Sequence, residues 1–146
     1  ALLVGLADGA WANSARDAAN RIHADWRDKG VQVWFQGHWG FQWYMQEQGH
    51  RPFDIRDPQV SPGDVLVLPT NNTNVRRLDP RLASELAPLD VRTHGWLSTM
   101  NLDVGAGCYS HLSAPLPFAF GAAGSERYIV LRAEQPIRGR PVRPSR

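Results

Sequence analysis

The chain contains one cysteine, Cys108, so no intrachain disulfide framework can staple it. No apolar run approaches the ~20 residues that a membrane span needs. The opening Ala1-Leu2-Leu3-Val4-Gly5-Leu6-Ala7 lacks the basic start and the length of a signal peptide. His23, His38, His50, His94 and His111 show no close paired spacing, and one thiol cannot build a structural zinc site, so the sequence implies no metal. Gly-x-Ser-x-Gly elbows and phosphate-loop patterns are missing. Gly105-Ala106-Gly107-Cys108-Tyr109-Ser110 begins like a dinucleotide fingerprint, but its third glycine is missing and Pro115 and Pro117 forbid the helix that should follow. A Cys108–His111 nucleophile pair has no signal of a lowered thiol pKa beside it, so Cys108 reads as buried filler. Carboxylates are thinly paired: Asp25 and Asp28 fall on the solvent side of a helix and Glu47 near a helix end. General acid–base work needs two such groups converging in a cleft. No cofactor and no catalytic residue are therefore assigned.

What remains is an ordinary globular composition. The 146 residues fit one domain, and hydrophobic and charged fractions of 42% and 21% support a core without staples. The net charge is +2, and much of the basic excess sits in a Pro-rich tail, Pro136 to Arg146, carrying Arg138, Arg140, Arg143 and Arg146. That composition reads as a solvated, disordered end; contact with anionic lipid headgroups is the alternative. No basic stripe interleaved with aromatics points to nucleic acid. The expected organisation is one domain over residues 1–135 and a tail over 136–146. Residues 1–7 read either as the buried start of the first element or as the end of a membrane helix.

Trp11, Ala15, Ala18, Ala19, Ile22 and Trp26 recur at helical spacing, with Gly30 where a C-terminal cap belongs. Ser14 with Asp17 resembles a capping pair, and Asp8 offers an earlier start. Val31 to Phe35 reads as a buried strand, Phe41 to Gln48 as a second helix stopped by Gly49, and Phe53 to Ile55 as a short strand. The turn Ser61-Pro62-Gly63-Asp64 launches Val65-Leu66-Val67-Leu68, which Pro69 ends. Asp79-Pro80 reads as an N-cap and first helical residue of a short helix to Leu86. Leu89 to Trp96 and Arg127 to Leu131 read as strands, with a long ordered loop over Ser98 to Gly124 between them. This order predicts an α/β fold: a small three-layer sandwich whose central sheet is mostly parallel, with the last strand antiparallel at an edge.

Gly37-His38-Trp39-Gly40 lies past a strand end and opens a helix, the place where open α/β sheets bind ligands. His38, Trp39, Gln42 and Tyr44 offer a flat apolar face and hydrogen-bonding groups suited to a sugar or phosphate. Equally, Trp39, Phe41, Trp43 and Tyr44 can simply pack the core. Asn71, Asn72 and Asn74 follow the next strong strand, and parallel neighbouring strands would bring them beside His38. The competing reading is a plain turn, which Asn favours on its own.

Several segments together resemble one family. They are Ala7-Asp8 with Trp11 to Ala19, Val33 to Met45 with its His38-Trp39-Gly40-Phe41-Gln42 string, Pro62-Gly63-Asp64-Val65 leading to Asn71-Asn72-Thr73-Asn74, and Pro115 to Gly121. They are similar to the C-terminal tails of bacterial membrane glycosyltransferases of the protein-mannosyltransferase class, over roughly residues 7 to 132. The resemblance implies a polytopic parent that takes sugar from a polyprenyl-phosphate carrier. It further implies that this domain lies on the periplasmic side, near the membrane surface, and partners the transmembrane part of its own chain. In that family the catalytic acids belong to an early extracytoplasmic loop, which has no counterpart in these residues. The implied role is thus accessory: acceptor binding, docking or gating, with a glycan or lipid-linked sugar as ligand. Two alternatives stand beside it, a stand-alone α/β nucleotide- or phosphosugar-binding protein and a protein interaction module.

Overall fold

The computed structural model describes residues 2–54, 56, 58–72, 75–76, 78–93, 96–101, 104–107, 116–121 and 124–138. A long helix, α1 (Leu2–Trp26), comes first. It is followed by β1 (Val33–Phe35), α2 (Trp39–Glu47) and β2 (Arg51–Pro52). Then come β3 (Gln59–Val60), β4 (Val65–Pro69), β5 (Ala83–Glu85) and β6 (Leu89–Arg92). Short pieces β7 (Leu97–Ser98), β8 (Met100–Asn101), β9 (Ala106–Gly107) and β10 (Ala119–Phe120) lead to the long β11 (Ser125–Ala133) and to β12 (Ile137–Arg138).

The main sheet is mixed, in the order β2-β1-β4-β11-β5, with β6 also paired to β11. β1 runs parallel to both β2 and β4, and β11 runs antiparallel to β4, β5 and β6. β4 is buried along its whole length, as its continuous Val-Leu run demands of a central strand. The last long strand is antiparallel, but it lies inside the sheet and not at an edge. Its alternation from Glu126 through Tyr128 to Val130 sends one set of side chains under the helices, while its length lets it pair on both sides.

α1 and α2 pack together on one face of the sheet. There Ala18, Ala19 and Ile22 meet Val33, Phe35, Phe41, Met45, Val65 and Val67. Small alanines at this contact let the long helix sit close to the sheet. The opposite face is covered by the β3–β12 ribbon through Val60 and Ile137, packed with Trp34, Leu66 and Ala133. Asp64 ties this side together. Its carboxylate accepts the Trp34 Nε1–H at 2.9 Å, the Ser61 N–H at 3.0 Å and the Gln32 N–H at 3.3 Å. The Pro62-Gly63 turn forms as expected, with Gly63 at φ 90°.

Several local expectations change. α1 continues upstream through Asp8 to Leu2, so Ser14 is no cap: its hydroxyl donates to Trp11 O at 2.7 Å inside the helix. Gly30 does stand left-handed after α1, and Gly49 after α2. Asp79-Pro80 opens a turn and not a helix. The Asp79 carboxylate accepts the Arg81 N–H at 3.0 Å and its guanidinium at 2.7 Å, and the chain then enters β5. The hydrogen bonds to Arg81 hold Asp79 well below the usual carboxylate range, at about 2. The short strand expected at Phe53–Ile55 forms earlier, at Arg51–Pro52; Ile55 lies outside the described residues. The stretch read as one long loop contains short pairs, β7 with β10 and β8 with β9. Ile137 is buried and paired, so the expected boundary at 135 falls inside the folded part; residues 139–146 lie outside the described residues.

Candidate functional site

Parallel pairing in the register Val33↔Val65 and Phe35↔Val67 brings the C-terminal ends of β1 and β4 to the same edge of the sheet. Antiparallel β11 delivers its N-terminal start there too, through Tyr128↔Pro69. Three segments therefore converge: the Gly37–Gly40 turn, the Asn71-Asn72 turn and Glu126.

Local chemistry shapes each. Gly37 has φ 110°, and a Cβ built on it would lie 2.8 Å from Pro69 Cγ, so only glycine passes here. His38 is the N-cap of α2 in extended conformation, and its side chain makes no capping bond. Trp39 has φ 57°, the single non-glycine residue described with positive φ, and its ring is 54% exposed. A strained aromatic at a cleft is a pointer to function. Within α2, Phe41 and Met45 face the core while Trp39 and Trp43 face solvent. Phe41 packs on Tyr128 with ring centroids 4.9 Å apart and the planes tilted by 37°.

Two hollows flank His38. The larger is an open cleft of about 590 Å³, walled by His38, Gln42, Phe53, Asp54, Arg56 and Arg76. Buried Gln36 fixes one wall: its amide accepts the Arg76 N–H at 2.7 Å and donates to Arg76 O at 3.1 Å. The guanidinium groups of Arg56 and Arg76 make no ion pair among the described residues, which leaves two cations facing this cleft. The smaller hollow, about 80 Å³, is lined by Trp11, His38, Trp39, Asn71, Asn72 and Glu126. Glu126 is 7% exposed, and its Oε1 accepts the Trp11 Nε1–H and the Asn71 Nδ2–H, both at 3.0 Å. Burial pushes its carboxyl pKa up against the opposing pull of those two donors. The Oδ1 atoms of Asn71 and Asn72 are buried without a hydrogen-bond partner. This hollow thus presents acceptors and an aromatic edge.

Of the residues singled out in the sequence, His38, Trp39, Asn71 and Asn72 come together around the small hollow, and Gln42 lines the large cleft. Tyr44 lines neither hollow: it lies half-buried, packed against the core. Asn74 lies outside the described residues, as do Cys108 and His111. Among the described residues no group of three His, Cys, Asp or Glu gathers as a metal site. Sequence reasoning missed Glu126, Gln36, Arg56 and Arg76. Glu126 had a legible signal, since it stands on the same strand face as Tyr128 and Val130. The two arginines had none, because only the tertiary fold carries their loops to the cleft. Compared with family sequence patterns, characterised proteins and solved structures, the chain shows no significant match.

Proposed function

We propose that this chain is the periplasmic C-terminal domain of a polytopic membrane glycosyltransferase using a polyprenyl-phosphate sugar. In this reading it binds a glycan or phosphorylated sugar for its parent and transfers nothing itself. The observation that carries the binding role is the convergence of His38, Trp39, Asn71, Asn72 and Glu126 at one sheet edge, beside a cleft holding Arg56 and Arg76. An exposed indole gives a stacking face for the apolar side of a sugar. Buried amide oxygens accept its hydroxyls, and two guanidinium groups match a phosphate. Among the described residues that line its hollow Glu126 is the one carboxylate, whereas glycosyl chemistry uses a pair. Exposed Leu2, Leu3 and Leu6 on α1 are in keeping with a domain held near a membrane surface, although no described helix is long and apolar enough to cross one. In the same reading the fold is a three-layer sandwich, with the helices, the main sheet and the β3–β12 ribbon as its layers.

The binding role is tested by titrating the chain with a hexose, a hexose 1-phosphate and a nucleotide while following amide shifts by NMR. Shifts at His38, Asn72 and Arg76 are expected with the hexose phosphate, weaker ones with the hexose. Tight nucleotide binding would favour the stand-alone nucleotide-binding reading, and no shift at all would remove the site. Placement in the parent is tested separately: a coding sequence with no membrane spans upstream would refute it. One observation favours the interaction-module reading. Trp96 stacks on Phe120 at 5.5 Å, and Phe118 meets Phe120 edge-on at 5.6 Å, all three exposed on the β7–β10 side.

A further inference from the structure

Away from the crevice, the C-terminal ends of the two helices meet. His23 lies in the last turn of α1, and His50 directly follows Gly49, where α2 has ended. Their rings stand 5.4 Å apart, centroid to centroid, at 61°. His23 Nδ1, His50 Nε2 and Gln48 Oε1 are all buried, and none has a hydrogen-bond partner. The Gln48 amide is tied to α1, its Nε2 donating to Asn20 Oδ1 at 2.6 Å. Asn20 is one turn before His23 on the same helix face, so Gln48 and His23 are held on one side of α1. Three polar atoms without a partner thus belong to side chains at the meeting ends of the two helices. A buried polar atom ordinarily has a hydrogen-bond partner, so each of the three calls for one.

We propose that His23 and His50 bind a single divalent transition-metal ion of the imidazole-preferring kind, such as Zn²⁺, with the Gln48 carbonyl oxygen as a third donor. A metal ion suits this place better than water. The nitrogens and the amide oxygen are closed to solvent, and a bare cation is smaller than a water molecule. A tetrahedral ion with Zn–N bonds of about 2 Å holds two imidazole centroids roughly 5 Å apart, close to the observed spacing. Both helices also point their negative ends here, which favours a cation. Two imidazoles and one amide oxygen leave a coordination position for water or another ligand, so the affinity falls below that of four-ligand structural sites. The site is independent of the sugar-binding crevice.

The test uses the full 146-residue chain, stripped with chelator, and titrated with ZnCl₂ by calorimetry and by NMR of the histidine rings. One equivalent of Zn²⁺ is expected to bind and to raise the melting temperature. The rings of His23 and His50 should shift while that of His38 does not. His23→Ala and His50→Gln should each weaken binding about tenfold or more, and His38→Ala should leave it unchanged. Should a variant fail to fold, the ring shifts in the unaltered chain still decide. Absence of binding, ring shifts at other histidines, or equal affinity in the folded His23 variant would overturn the proposal.

Discussion

Glu126 offers the sharpest quantitative test. Its Oε1 accepts from two donors at once, Trp11 Nε1–H from α1 and Asn71 Nδ2–H from the turn after β4. Replacing it by alanine removes the acceptor of both hydrogen bonds beneath α1. Each bond so lost costs about 1–3 kcal/mol, so Glu126→Ala should lose about 2–4 kcal/mol after the relief of a buried charge is deducted. For a domain of this size that is a fall in Tm on the order of 10 °C. Glu126→Gln keeps an oxygen for the same two donors and removes the charge, so it should stay within about 1 kcal/mol of the parent. The variants also differ with pH. Burial raises the folded-state pKa of Glu126 above its ordinary value of 4.5. Across the window from 4.5 up to that raised value the folded chain binds more protons than the unfolded chain. This group's contribution therefore makes stability fall as pH rises through the window. Glu126→Gln should flatten that part of the profile. Urea denaturation from pH 4 to 8, read by tryptophan fluorescence, measures both effects. An alanine variant as stable as the parent, or a glutamine variant as damaged as the alanine one, would refute the reasoning.

Three further outcomes follow from the geometry. Gly37→Ala should destabilise by about 2 kcal/mol or more, because a Cβ at φ 110° meets Pro69 at 2.8 Å; thermal melts check this. Asp64→Ala removes the acceptor for Trp34, Ser61 and Gln32 and should cost about 2–4 kcal/mol in chemical denaturation, with the indole signal of Trp34 shifting. Trp39→Asn should leave stability within about 1 kcal/mol, since Asn tolerates the left-handed φ of 57°, yet abolish hexose-phosphate shifts at His38 and Asn72. Retained binding in that variant would remove Trp39 from the site.

Much of the fold was legible locally. The 3.6-residue spacing from Trp11 to Trp26, the Val-Leu run of β4 and the glycines at 30, 49 and 63 each encode their own geometry. Where local signals competed with wider pairing, they misled. Asp79-Pro80 looks like a helix start, but Ala83 to Glu85 gain more by pairing with β11. Ser14 looks like a cap, but the preceding residues already lie in α1. Tyr44 carried the same chemical promise as Trp39, and only the register of α2 on the sheet separates them: one ring turns inward and the other outward.

The residue order by itself determined which segments can bury apolar faces, where the chain must turn, and that His38, Trp39, Asn71 and Asn72 follow strand ends. Those properties depend on neighbours within a few positions. Tertiary structure alone decided that β1 and β4 are parallel neighbours, and that an antiparallel β11 inserts Glu126 at their common edge. It likewise decided that His23 and His50 face each other across a helix junction. Such contacts join residues far apart along the chain, and sheet register and helix packing settle them collectively, which no local pattern encodes.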